Sequence, residues 1–544
     1  MDPPGRGRRT HLRALRVTAA TLPNWFFGIA VAVTGPLLLF HYGAYHWFLR
    51  DDWSFLADRD GFPDLFEPHG GSHLVAVPRL IYFGLWELFG VTTYRPYQLF
   101  VVVTHLAIAV LLRLVMRRAG VRPWLAMAAA GLFLLVGPGA VNSVWAFQVG
   151  FNGSLAWGLA HLLLADHDGR FDRRDVFGLG CGLLAITSSG VGISLTVAVG
   201  VAMLLRRGWT AALVHTVPLA VVYWSWTVVS DASTNGPFGR PPGNVLWGWT
   251  RSSAIGTFLG IGRFQVVAAL FVVVLVVGLV LTWTPSRGRD LRHLRMRLSM
   301  PVGLAIAAGF FVVTTGIGRA WVGPALARNH RYVYLEAALL LPLLAVSAEA
   351  IARRWRALAP ALVALFLLPI PFNLLHFDTD IFDGRWMKNR EFILTTAVRM
   401  PFARDVPRDV QPVPDAAASD AVTIGFLLTA AKNGDLIPSS IPLTPAVVNE
   451  FRVRLGVAQR VHAGRPARCR TYDRPITVDP QPGEVLHLGS GVLIAAFEDG
   501  QRVSRPVLFR PDEGGTQLTI ELPDLHLWVG PARGEATFRL CEEG

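Results

Sequence analysis

Runs of roughly 20 apolar residues, the length that crosses about 30 Å of hydrocarbon, recur along most of this chain, and short groups of arginine separate them. About eleven such spans are expected before the composition changes near His376: 24–46, 96–116, 123–141, 149–165, 176–188, 190–205, 210–230, 263–284, 301–320, 333–351 and 357–375. The fifth and sixth are short and divided only by Ser188-Ser189-Gly190. The composition agrees, because 52% of the 544 residues are hydrophobic and only 16% are charged, against about 25% charged in soluble domains. Mean hydropathy is +0.41. Most of the chain is therefore expected in lipid.

The formal charge of +13 sits in basic groups between apolar runs, as in cytoplasmic membrane loops. It reads as topology, and no nucleic acid partner is expected. Arg6 to Arg16, Arg117-Arg118, Arg173-Arg174, Arg206-Arg207, Arg287 to Arg297 and Arg353-Arg354 all fall on one side when the spans alternate, which makes that side the cytoplasm. The run from Trp25 to Phe40 follows a basic start and is too long for a typical signal-peptide core, so it reads as an uncleaved first span with the N-terminus inside. Lys388 and Lys432 are the only lysines, an arginine bias that hints at a high-GC bacterial genome. The expected location is a bacterial cytoplasmic membrane, crossed many times.

The fold class is thus mainly α, a polytopic helical membrane protein with a C-terminal extracytoplasmic β-rich domain. The expected divisions are a transmembrane domain over 1–375 with its first outer loop at 47–95, a helix and linker over 376–420, and the β-rich domain over 421–544. From Glu484 onward, alternating runs such as Val485-Leu486-His487-Leu488 and Gln517-Leu518-Thr519-Ile520 are parted by Gly, Pro and Asp, a β-sandwich pattern. Such a domain is either a rigid support or a glycan-binding module, and the scarcity of aromatic platforms beyond Trp528 favours support. No two of the three cysteines are spaced as metal ligands. Cys469 and Cys541 can pair if this part lies outside.

The first outer loop carries the sharpest chemistry: Arg50-Asp51-Asp52-Trp53, then Pro68-His69-Gly70-Gly71-Ser72-His73, then Pro78-Arg79-Leu80. Two adjacent carboxylates beside a bilayer are costly to desolvate unless a metal ion, a basic residue or a substrate hydroxyl pairs with them. The bland alternative is an interfacial cap neutralised by Arg50 or Arg59. The stretch from Pro78 to Phe89 is too short to span and reads as a surface helix. A second constellation, Arg328-Asn329-His330-Arg331-Tyr332 with Glu336 beyond it, precedes the tenth span on the same outer side. Clustered guanidinium groups there suit a departing phosphate, whereas interfacial Arg/Tyr anchoring is the bland reading. Trp145, Gln148, Asn152 and Ser188-Ser189 are weaker candidates for a sugar pocket, and His105, His161 and His215 read as helix-packing groups.

With an acidic pair directly after the first span and a surface helix in the same loop, the chain resembles the GT-C superfamily of polyprenyl-phosphate-dependent membrane glycosyltransferases. The resemblance covers the architecture of the whole chain, and its sharp part is Asp51-Asp52. It implies that one of Asp51 and Asp52 is the general base for an acceptor hydroxyl, while the other holds the acceptor or a divalent metal such as Mg or Mn. Arg328, His330, Arg331 and Tyr332 would bind the donor phosphate, and His69, His73, Arg79 and Gln148 would contact substrate or metal. The implied partners are a polyprenyl-phosphate sugar donor, an envelope glycan, lipid or protein acceptor, and membrane lipid. The rival readings are a transporter or flippase for lipid-linked glycans, which usually places charge at mid-membrane, and a non-catalytic envelope assembly protein.

Overall fold

The computed structural model describes residues 21–57, 62–70, 72–232, 239–283, 291–377, 384–413, 421–461, 468–481, 485–488, 490–509, 516–532, 535 and 537–542. Arg59, the Arg6 to Arg16 group and part of the Arg287 to Arg297 group lie outside these residues. Helix α1 (Leu22–Leu37) runs through Pro36 into a π-turn at Leu38–Tyr42. The loop after it holds α2 (Asp51–Leu56) and α3 (Ala76–Phe89). Then follow α4 (Arg95–Arg118), α5 (Pro123–Leu134), the short α6 (Ala140–Val144), α7 (Val149–Ala165), α8 (Arg173–Ser188), α9 (Val191–Arg206) and α10 (Trp209–Val229). The bundle closes with α11 (Gly243–Gly262), α12 (Gln265–Trp283), α13 (Leu291–Arg319), α14 (His330–Arg354), α15 (Ala359–Leu367) and α16 (Pro369–Leu375).

Among the described residues, seven helical stretches are long and apolar enough to cross a membrane. An eighth is added if α5 and Gly137–Val144, which meet at a 53° bend, count as one span. The expected count of about eleven is therefore not confirmed. Helices α7, α8 and α9 have 17, 16 and 16 residues, which at 1.5 Å per residue gives only about 24 to 26 Å. Helix α11 falls where a loop was expected, since its Gly, Ser, Thr and Arg251 dilute the hydropathy signal. Helix α14 is apolar on all faces and sits at the centre, with 89% of its best apolar window buried. It packs on α11, α12 and α13.

The arginines between spans gather at one end of this bundle. There Arg118 and Arg206 hold Asp166 at 2.6 and 2.8 Å, and the side chains of Arg297 and Arg353 donate to the carbonyls of Ala119 and Gly120. Glu349, only 3% exposed, accepts from Arg122 at 2.9 Å and Arg353 at 2.7 Å.

After α17 (Gly384–Ala397), α18 (Ile424–Asn433) and α19 (Pro445–Gly456), the described residues form ten strands in two sheets. Strands β1 (Val457–Val461), β2 (Arg468–Tyr472), β4 (Val485–Leu488), β8 (Thr516–Ile520) and β10 (Phe538–Glu542) make one sheet in the order β1-β8-β4-β10-β2. Strands β3 (Ile476–Val478), β9 (Leu527–Pro531), β5 (Val492–Glu498) and β6 (Gln501–Arg502) make the other, with β7 (Val507–Phe509) on β5. The strands thus begin at Val457, well before the Glu484 at which the alternating pattern was expected to start. Cys469 and Cys541 occupy facing register positions on β2 and β10.

The β-rich part does not hang free. Trp47, Phe48, Trp53, Phe55, Tyr82 and Trp86 of the first loop share one buried apolar core with Phe451, Val492, Phe509, Leu518 and Val529. Phe426 on α18 lies 5.8 Å from the Trp86 ring. Gly90 sits at φ +53, and a Cβ there would stand 2.4 Å from the Asp435 carbonyl, so the loop and the C-terminal part meet backbone to backbone. Burying these aromatic rings together ties the loop to the C-terminal part.

At the arginine end, replacing Glu349 with alanine leaves Arg122 and Arg353 without their shared partner. The Glu349 carboxylate is buried but the two guanidinium groups are 32% and 48% exposed, so losing these charged hydrogen bonds costs about 1 to 3 kcal/mol, and thermal unfolding of Glu349→Ala in detergent should show a lower midpoint. An unchanged midpoint would show that the cluster carries no stability.

Candidate active site

The acidic pair opens α2, and the turn into it passes through Arg50 at φ +46, a backbone region that costs a non-glycine residue free energy. The two carboxylates consequently face different surroundings. Asp52 is wholly buried. Its Oδ2 accepts from the Leu49 amide at 2.9 Å, from Trp145 Nε1 at 2.9 Å and from the Tyr94 hydroxyl at 3.4 Å. Its Oδ1 accepts from the Tyr82 hydroxyl. Two carboxylate oxygens offer about four lone-pair positions; three donors crowd Oδ2, and Oδ1 takes one. Burial raises the Asp52 carboxyl to about 7, against the downward pull of Tyr82, the Leu49 amide and Trp145.

Asp51 differs: its side chain is 39% exposed, and His69 Nε2 lies 3.9 Å away. His69 and His73 are joined by a small antiparallel bridge, with amide-to-carbonyl bonds of 2.9 and 3.1 Å closing over Gly70 at φ +56. Glycine supplies that left-handed turn at little strain. Burial lowers the His69 imidazole while Asp51 pulls it upward, and burial lowers His73 to about 4, so His73 is neutral near pH 7. The Arg79 guanidinium donates to the carbonyls of Asp64 and Glu67 and lies 5.9 Å from the centre of the Phe55 ring. These contacts tie the loop to α3.

The second constellation divides. Arg331 stacks on the Trp145 ring at 5.8 Å, and Trp145 itself donates to Asp52, so α14 reaches the acidic loop through one indole. Arg331 also lies within electrostatic reach of Asp51, Arg319 and Arg50. Tyr332 is 4% exposed, and its hydroxyl accepts from Arg319. His330 begins α14 under the Asn329 cap, whose side chain accepts from the Arg331 amide at 3.1 Å. Arg328, in contrast, turns toward α11 and donates to Ser252 at 3.0 Å. Glu336 likewise accepts from Ser253 and Thr257 of α11.

Gln148 is 1% exposed, and neither end of its carboxamide has a hydrogen-bond partner among the described residues. The same holds for the Asn142 side chain, while Asn152 Nδ2 donates to the Asn142 carbonyl at 2.7 Å. Arg319, Tyr82 and Tyr94 were not singled out from the sequence. Arg319 had a signal, since it is a cation at the end of an apolar run; the two tyrosines had none.

A divalent ion shared by Asp51 and Asp52 would have to use the Asp52 Oδ1 position that its four donors leave, since Oδ2 already accepts three hydrogen bonds. Among the described residues, the one grouping of three metal-capable side chains is His167, Asp172 and Asp175. There Asp172 caps α8, and Arg207 and His215 already occupy the Asp175 carboxylate.

Asp52 keeps its proton to higher pH in the folded chain than in the unfolded one. Folded stability should therefore fall as pH rises from about 4 to about 7, and Asp52→Asn should flatten that slope in thermal unfolding. Asp52→Ala strands several donors, each costing about 1 to 3 kcal/mol, and should lower the midpoint far more than Asp52→Asn. Equal midpoints for the two variants would contradict this account.

No protein-family model matches the sequence, and no curated protein is detectably similar to it. Among solved structures, the crystal structure of ArnT from Cupriavidus metallidurans bound to undecaprenyl phosphate is similar over 80% of this chain and 88% of that one. The identity is 15% and the TM-score 0.42, so the functional reading rests on this chain's own residues.

Proposed function

We propose that the chain is an inverting glycosyltransferase of GT-C type, moving a sugar from a polyprenyl-phosphate donor to an envelope glycan, lipid or protein acceptor. The observation that carries the reading is Asp51, a partly exposed carboxylate beside His69, set at the end of an apolar bundle within electrostatic reach of Arg331 and Arg50. Asp52 is closed off by its four donors, which leaves Asp51 as the general base. The site lies at the end of the bundle opposite the Arg118, Arg206 and Arg353 cluster, and this supports an outer-face reaction with the arginine-rich end in the cytoplasm.

In the proposed step the acceptor hydroxyl gives its proton to the Asp51 carboxylate as its oxygen bonds to the anomeric carbon. The bond from that carbon to the phosphate oxygen breaks, and its electron pair leaves on the polyprenyl phosphate. Arg331 and Arg319 stand where that negative charge collects, and guanidinium groups held in place need little reorganisation to stabilise it. His69 orients Asp51, and His73, being neutral, adds no competing charge. The reading routes no step through a metal.

Removing a general base typically slows turnover by about 10² to 10⁴-fold. Asp51→Asn should therefore lose most sugar transfer from a radiolabelled polyprenyl-phosphate donor in proteoliposomes, while keeping the unfolding midpoint of the parent. Full transfer by this variant would sink the proposal and return the chain to the transporter or assembly readings.

A further inference from the structure

The separation of Arg328 from Arg331 leaves a cationic groove that the Asp51 site does not use. The groove has a volume of about 520 Å³ and is lined by Gly248, Arg251, Ser252, Ile255, Pro324 and Ala325 together with Arg328. No carboxylate lines it. Arg328 is fixed by Ser252, and among the described residues no acidic side chain pairs with either arginine. Trp247, Arg251 and Ile255 lie at successive helical repeats of four on α11, and all three are exposed. A guanidinium thus sits within an exposed apolar stripe of α11. Such a charge facing lipid is expensive unless an anion meets it.

Two glycines shape the groove. A Cβ on Gly256 would stand 2.9 Å from Arg328 Cγ, so the absence of a side chain there lets Arg328 lie flat against α11. A Cβ on Gly248 would meet nothing within 4 Å, so that position opens onto free space. Two guanidinium groups over an apolar wall match a phosphate headgroup joined to a hydrocarbon tail, because planar forks bind phosphate oxygens in pairs.

We propose that the Arg251/Arg328 groove binds the phosphate headgroup of a membrane lipid, at a site separate from Asp51 and open to the bilayer. Its readout is binding and not turnover, so its failure and the failure of the glycosyltransferase reading are distinguishable.

The purified full-length protein, titrated with phosphatidylglycerol, decaprenyl monophosphate or phosphate-free dioleoylglycerol and followed by native mass spectrometry, provides the test. At least one phosphate lipid should be held clearly above dioleoylglycerol. The Arg251→Gln/Arg328→Gln double variant should lower the occupancy of one bound lipid about tenfold or more, the value of a lost charged hydrogen bond. Gly248→Leu, which fills the groove without touching charge, should do the same. Preference for decaprenyl monophosphate assigns the groove to the carrier lipid, and preference for phosphatidylglycerol assigns it to bilayer lipid. Phosphate lipids held no better than dioleoylglycerol, or occupancy in the double variant equal to the parent, would overturn the site.

Discussion

A carboxylate with no access to water must receive its hydrogen bonds from the chain around it, and Asp52 receives four from four separate places. Leu49 precedes α2, Tyr82 lies on α3, Tyr94 precedes α4, and Trp145 follows α6. These contacts hold the loop after α1 against the bundle at one point. The neighbouring Asp51 inherits its position, since a six-residue helix that begins in a strained turn has little else to orient it. The aromatic core shared with the β-rich part then braces the loop from the far side.

The bundle is electrostatically two-sided. At one end arginines close on Asp166, Asp175 and Glu349, so positive charge is matched by buried acid. At the other end Arg319, Arg331, Arg328 and Arg251 outnumber the acidic groups near them, and Asp51 is the partly exposed carboxylate among them. An excess of fixed positive charge beside lipid favours anionic headgroups and departing phosphates. The same excess makes mere interfacial anchoring an incomplete account of Arg331, which stacks inward on Trp145.

Hydropathy made the long spans legible, because a run such as Gln265–Thr282 has little polar residue to obscure it. It failed at α11, where glycine and hydroxyl side chains serve close packing and Arg251 breaks the apolar average. Its count of about eleven is not confirmed where short helices pack on one another, because burial against protein and burial in lipid select the same residues. The β-rich part was read from its apolar alternation, which missed β1, β2 and β3; in β2 the alternate positions carry Arg468 and Arg470. At the site, Asp51 and His69 were legible as neighbours in one loop, and Trp145 as a polar ring at a helix end. The split between Arg328 and Arg331 was not, since three residues across the start of a helix point in different directions only once α11 and Trp145 are in place. The distinct fates of Asp51 and Asp52 likewise depend on Tyr82 and Tyr94, whose approach adjacency in sequence cannot reveal.

The four-donor cage around Asp52 also sets an order on biosynthesis. A membrane protein inserts from its N-terminus, so the acidic loop leaves the translocation machinery long before its partners. Tyr82 and Tyr94 arrive soon afterwards, Trp145 only after the α4 hairpin has formed, and Arg331 when more than half of the chain has been made. Until then Asp52 has neither its indole nor a complete shell, and Asp51 has no guanidinium from α14 near it. The arrangement around Asp51 and Asp52 is therefore complete only in a molecule whose helical bundle has been assembled.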